Sequence, residues 1–185
     1  MFKKLTADAI LPKRQTRFSA GFDVFANEDK VIAAGQTELI GLGIAIDKNL
    51  LEKLIPKKVY PLPSIEADIY WSSVCHNFFE SHYLELHIRS SLRAKGLTSL
   101  GTGVIDIDYP DEIKMVVHNP VTLEGYSIDD GYRLCVPTSC DYSYKINKGD
   151  KIGQLILLQH AGHLMPDEYT LDNERVGGFG SSGTK

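Results

Sequence analysis

The chain has 185 residues, 43% hydrophobic and 24% charged, with a formal net charge of −4, which is enough for one domain with a core able to fold alone. The mild acidity excludes a general attraction for nucleic acid or anionic lipid, so any phosphate must be held locally, by a few arginines and backbone N–H groups. No apolar run reaches membrane-spanning length, the start MFKKLTADAILPKRQ lacks a secretory leader's apolar segment, and the sparse cysteines Cys75, Cys135 and Cys140 are expected to be reduced thiols of a cytoplasmic protein.

Short β-like runs follow in chain order: GFDVFA (21–26), KVIAA (30–34), TELIGLGIAI (37–46), YLELHI (83–88), GVIDI (103–107), EIKMVVH (112–118), YSYKI (142–146) and KIGQLILLQH (151–160). Several alternate apolar with polar residues, and Gly, Pro, Asp or Asn breaks the intervals, a rhythm that predicts an all-β barrel or jelly roll. Helix is scarce. DKNLLEKLI (47–55) has the apolar spacing of one short helix, with Asp47 or Asn49 as its cap. RSSLRAKG (89–96) predicts a helical turn stopped by Gly96.

Two stretches break the strand rhythm, at about 47–82 and 120–141, and are expected to be inserted segments. The first carries Tyr60, Tyr70, Trp71, Phe78 and Phe79, which are expected to pack against something. The chain closes on ERVGGFGSSGTK, from Glu174 to Lys185, too glycine-rich to fold by itself and holding a lone aromatic ring, Phe179. The expected organisation is one domain over residues 1–173 followed by a flexible arm, 174–185.

Four places carry chemistry. Arg89 offers a planar fork of donors beside the hydroxyls of Ser90 and Ser91, which suits a phosphate and equally suits a capped surface turn. Gly101 and Gly103 permit close backbone approach ahead of Asp106. That aspartate lies between Ile105 and Ile107 and is expected to be partly desolvated, as suits a general base. Tyr109 follows in DIDYPDE, where its ring could stack on a sugar or base, although such Asp-rich stretches are also common turns. Asp23 and Gln154 are polar residues within strand patterns and need partners, structural or otherwise. The histidines His82, His87, His160 and His163 form no recognised metal-ligand spacing.

In order, AGFDVFA, RSSLRAKG, GTGVIDIDYPDEIKMVVHN, KGDKIGQLI and RVGGFGSSG resemble the five motifs of the trimeric deoxyuridine triphosphatase (dUTPase) family. They span residues 20 to 183. The resemblance implies a jelly-roll-like β-barrel, a homotrimer with active sites between subunits, and Mg2+-assisted hydrolysis of dUTP to dUMP and pyrophosphate by water attack at the α-phosphate. By the same resemblance Asp106 is the catalytic aspartate, and Tyr109 stacks on the deoxyribose. The backbone of Gly101, Gly103 and Val104 reads the uracil edge. Arg89, Ser90, Ser91 and Gln154 contact phosphates, and Asp23 lies near the metal's water shell. Phe179 caps the base, while Arg175 and the Gly180-Ser181-Ser182 segment close on the γ-phosphate. The chain departs from the family pattern at Ile88, where a proline is usual, at Ser91, where a glycine is usual, and in a spacing one residue shorter between Arg175 and Phe179.

Two alternatives stand beside this reading. One is dCTP deamination on the same fold. It needs a glutamate ten residues past the aspartate, where this chain has Val116, so the ring chemistry lacks its acid/base. The other is a regulator built on the same scaffold, which docks a protein partner through the inserted segments and their aromatics.

Overall fold

The computed structural model describes residues 1–50, 78–121 and 142–162. Among these residues lie ten strands: β1 (Phe2–Lys4), β2 (Phe22–Phe25), β3 (Lys30–Ile32), β4 (Thr37–Gly41), β5 (Ile44–Ile46), β6 (His82–Ile88), β7 (Gly103–Asp106), β8 (Lys114–His118), β9 (Tyr144–Ile146) and β10 (Lys151–Gln159). All ladders are antiparallel. One four-stranded sheet runs β2-β10-β6-β7, and three two-stranded sheets pair β1 with β5, β3 with β9 and β4 with β8. The arrangement is the all-β, jelly-roll-like class expected from the sequence.

Period-two patterning decides what faces inward. In β6, Leu84, Leu86 and Ile88 are buried while Tyr83, Glu85 and His87 turn outward, and in β8 Met115 and Val117 are buried. These side chains meet Ile32, Ile40, Leu42, Ile44, Ile152 and Leu155 in one core. Gly153 lets β10 pass through the crowded middle of the sheet. A Cβ there would meet Met115 and would lie 2.8 Å from the His87 carbonyl.

All eight β-like runs contain strand, with two refinements. TELIGLGIAI is two strands rather than one, because Gly43 takes a left-handed φ of 66° and a Cβ there would come within 2.6 Å of the Asn27 side chain. The released segment, β5, pairs with β1, a strand too short for its alternation to be read. Asp47 caps the helical turn at 48–50, its Oδ1 accepting from Leu50 N at 3.1 Å, so Asp47 and not Asn49 is the cap; residues 51–55 lie outside the described residues. RSSLRAKG forms the helix α1 (Ser90–Arg93), closed by Leu97 N to Leu92 O at 3.1 Å and Gly96 N to Arg93 O at 2.9 Å. Gly96 supplies the positive φ of 87°, and Leu92 and Leu97 are both buried, the apolar contact that accompanies this C-terminal motif.

Of the aromatics in the 47–82 stretch, Phe78 and Phe79 pack against the core, and Phe78 stacks on His82 at 4.2 Å. Tyr60, Tyr70, Trp71 and the three cysteines lie outside the described residues, as does most of 120–141. Among the described residues no helix is long and apolar enough to cross a membrane.

Candidate active site

Directly opposed residues of an antiparallel pair project to the same face. Tyr83 opposes Asp106 and Glu85 opposes Val104. His87 opposes Gln154, which opposes Asp23 on its other side. Asp23, Gln154, Val104 and Asp106 therefore share the outward face of the four-stranded sheet, with the side chains of β6 between them.

One end of this face is a polar cluster. Asp23 is 1% exposed. Its Oδ1 accepts from Gln154 Nε2 at 3.0 Å, and its Oδ2 lies 3.2 Å from Lys151 Nζ, off the line of a good hydrogen bond. Burial pushes the Asp23 carboxyl up, but the Gln154 amide, the Lys151 ammonium and the Arg89 charge outweigh it and hold the pKa below its ordinary value. Arg89 follows β6 and is anchored by its N–H to the Ile152 carbonyl at 3.1 Å. Ser90 and Ser91 open α1 and are exposed. Arg89, Ser90, Ser91, Gln154 and Asp23, which fall in three separate motifs, are thus brought to one region by the β2-β10-β6 ladder.

The other end carries Asp106. It is exposed, not desolvated as its apolar neighbours suggested, because the same alternation that buries Ile105 and Ile107 turns the aspartate out. Tyr109 is drawn inward: its ring is 9% exposed and belongs to the core. Its N–H donates to the Asp106 carbonyl at 3.0 Å, which closes the turn that carries the aspartate. Beside the outward line runs a second network, in which Tyr83 Oη donates to Glu85 at 3.0 Å and His87 Nε2 lies 2.8 Å from Glu85. The His87 and Tyr83 hydrogen bonds lower the Glu85 pKa.

Between β7 and β8 lies a gap of about 150 Å³, lined by Gly101, Gly103 and Val104 on one side and by Lys114, Met115 and Val116 on the other. Among the described residues the two strands form no ladder with each other, since β7 pairs with β6 and β8 with β4. Their facing backbone groups border the gap. Gly101 has φ of 112°, a conformation open to glycine but strained for other residues, and its carbonyl is fixed by Ser99 Oγ at 2.7 Å. The contribution of Lys114 to Val116 escapes sequence reasoning: alternation identifies a strand there but not that one edge of it is open.

Among the described residues no three His, Cys, Asp or Glu side chains cluster to hold a metal. Asp23 Oδ2 is a buried acceptor without an aligned donor, and it fits a hydrogen bond from a metal's water better than direct ligation. Arg175, Phe179, Gly180, Ser181 and Ser182 lie outside the described residues.

No protein-family model matches the chain. It is 28% identical to the deoxyuridine 5'-triphosphate nucleotidohydrolase of Nautilia profundicola, over 98% of this chain and 96% of that protein. It is 27% identical to the protein of the same name from Variola virus, over 100% of this chain and 92% of that one. Among solved structures it is similar to the dUTPase of Staphylococcus aureus phage phi11, described with a structural Mg(II) ion, with a TM-score of 0.58 and 20% identity over 94% of this chain and 96% of that one. A phage 80alpha dUTPase solved with dUpNHpp gives a TM-score of 0.57 at 20% identity, over 94% and 96% of the two chains.

Proposed function

We infer that the chain belongs to the dUTPase family and hydrolyses dUTP to dUMP and pyrophosphate. The observation that carries this reading is the unladdered gap between β7 and β8, with Asp106 at the end of β7. Backbone donors and acceptors at such a gap must be satisfied by something, and the edge of uracil, where carbonyls alternate with N–H, is complementary to them. The names of the similar proteins support the same substrate. Val116, at the position where a deaminase needs its carboxylate, borders this gap and carries no ionisable group, which disfavours deamination.

In this reading Gly101, Gly103 and Val104 bind the base through their backbone. Asp106 accepts the proton of the water that attacks the α-phosphorus, while Tyr109 fixes the turn beneath it and borders the deoxyribose. Arg89, Ser90, Ser91 and Gln154 hold phosphate oxygens. Mg2+ on the triphosphate would supply charge neutralisation, with Asp23 holding one of its waters. Phe179 covers the base, and Arg175 with Gly180, Ser181 and Ser182 closes over the γ-phosphate.

The two ends of the outward face also bear on assembly. Tyr83 to His87 spans roughly 13 Å of strand, and three ladders separate β7 from β2, so Asp106 and Asp23 of one chain stand roughly 19 Å apart. A base and a carboxylate that holds a water of the triphosphate's metal must lie much closer together to serve one in-line displacement. That separation within one chain supports active sites built between copies of the chain, and the family reading makes the assembly a homotrimer. The test of the site is Asp106→Asn. It is expected to keep the fold and dUTP binding while kcat falls by about 10²- to 10⁴-fold; near-normal turnover removes Asp106 from the role.

A further inference from the structure

We propose that Lys95, held in place by Tyr144, is a further triphosphate-binding residue that favours a triphosphate over shorter phosphate chains. The proposal rests on the reading of the site given above. Beside Arg89 and Ser91 lies a hollow of about 390 Å³ between α1 and the β9–β10 connection, and its remaining polar walls are Lys95, Tyr144, Asp150 and Lys151. Three cations against one carboxylate make this hollow locally positive in a chain whose net charge is −4, the local arrangement an acidic protein needs to hold a polyanion.

The three cations differ in what already occupies them. Lys151 lies 3.2 Å from Asp23, and the Arg89 charge also acts on that carboxylate. Among the described residues Lys95 has no carboxylate within ion-pair distance. Its Nζ instead donates to Tyr144 Oη at 2.9 Å and sits 5.3 Å from the centre of the same ring. The tyrosine orients the ammonium without neutralising it and, with a longer-range contribution from the Asp150 charge, raises its pKa. One of its three donors is used and two remain for an anion. A lysine ordered in advance also loses less side-chain entropy when a phosphate arrives. Lys95 and Tyr144 are 49 residues apart in the chain, so neither stands out in the sequence. In a site completed by a neighbouring copy, a monophosphate held at that copy's Asp106 has no group to offer this hollow, whereas the terminal phosphates of dUTP, bound by Arg89 and Ser91, would extend into it.

The test is steady-state pyrophosphate release by the full chain with Mg2+, comparing the unsubstituted protein with Lys95→Met, Lys95→Arg and Tyr144→Phe. Lys95→Met is expected to raise KM for dUTP about 5- to 20-fold with kcat within about twofold, the effect of losing one charge-assisted contact. It should weaken inhibition by inorganic tripolyphosphate by a similar factor and leave inhibition by dUMP unchanged. Lys95→Arg should restore most of the affinity, and Tyr144→Phe should raise KM about 2- to 3-fold through lost orientation. Unchanged KM and tripolyphosphate inhibition in Lys95→Met overturn the proposal, as does an equal loss of dUMP inhibition. If the unsubstituted protein releases no pyrophosphate from dUTP, the functional reading itself fails. Calorimetric titration of tripolyphosphate into the same proteins then decides the hollow by itself: weaker binding to Lys95→Met supports it, and equal binding overturns it.

Discussion

Replacing Asp23 by asparagine keeps the shape of the side chain and removes its charge. In the native protein Oδ1 accepts from Gln154 at 3.0 Å and Oδ2 faces Lys151 at 3.2 Å. Asparagine Oδ1 can still accept from Gln154, but Nδ2 then turns a donor toward an ammonium. The Lys151 side chain is 36% exposed and can swing into water, so the loss is one charge-assisted interaction rather than two stranded charges, about 2 kcal/mol. For a chain of this size that lowers Tm by roughly 4–8 °C. The pH dependence follows from the depressed pKa of the folded carboxyl. Its stabilisation is fully present above the unfolded value of about 3.9 and is lost as pH falls through the folded pKa. Urea unfolding of the two proteins at pH 7 and pH 3 is the assay, with a clear difference in midpoint at pH 7 that narrows at pH 3 as the expected result. Equal midpoints at pH 7, or a gap that persists undiminished at pH 3, refute the argument that Asp23 is held ionised by Gln154, Lys151 and Arg89.

Gly153→Ala places a Cβ 2.8 Å from the His87 carbonyl, a backbone atom that cannot rotate away, and is expected to cost about 1–3 kcal/mol in thermal or urea unfolding. A chain ending at Asn173 is expected to stay folded by circular dichroism while turnover falls about 10²-fold or more, because it lacks the groups proposed to close over the nucleotide. Sedimentation equilibrium is expected to give three times the mass of one chain, as the dUTPase reading implies, and a monomer is disfavoured because a single copy leaves Asp106 and Asp23 on distant parts of one face.

The strands were legible because each run that alternates in sequence alternates in burial, as YLELHI does in β6. The reading failed where burial was inferred from flanking residues instead of from the alternation. Flanking isoleucines suggested a desolvated Asp106, yet the period that buries those isoleucines is what exposes the aspartate. Tyr109 went the other way, its ring drawn into the core by the turn that its own N–H closes. Residues of the candidate site found from sequence are those whose type is unusual in context: an arginine beside two serines, an aspartate and a glutamine within apolar strands. Lys95, Tyr144 and the Lys114 to Val116 edge were missed because their types are ordinary for their positions. Only the three-dimensional neighbourhood, a tyrosine hydroxyl at 2.9 Å or a strand edge left without a ladder, marks them.

The account is tested most directly by pyrophosphate release from dUTP, dCTP, dTTP and UTP, each with and without Mg2+. It predicts rapid, Mg2+-dependent release from dUTP and little from the other three. Ammonia release from dCTP, or equal pyrophosphate release from all four nucleotides, would contradict it.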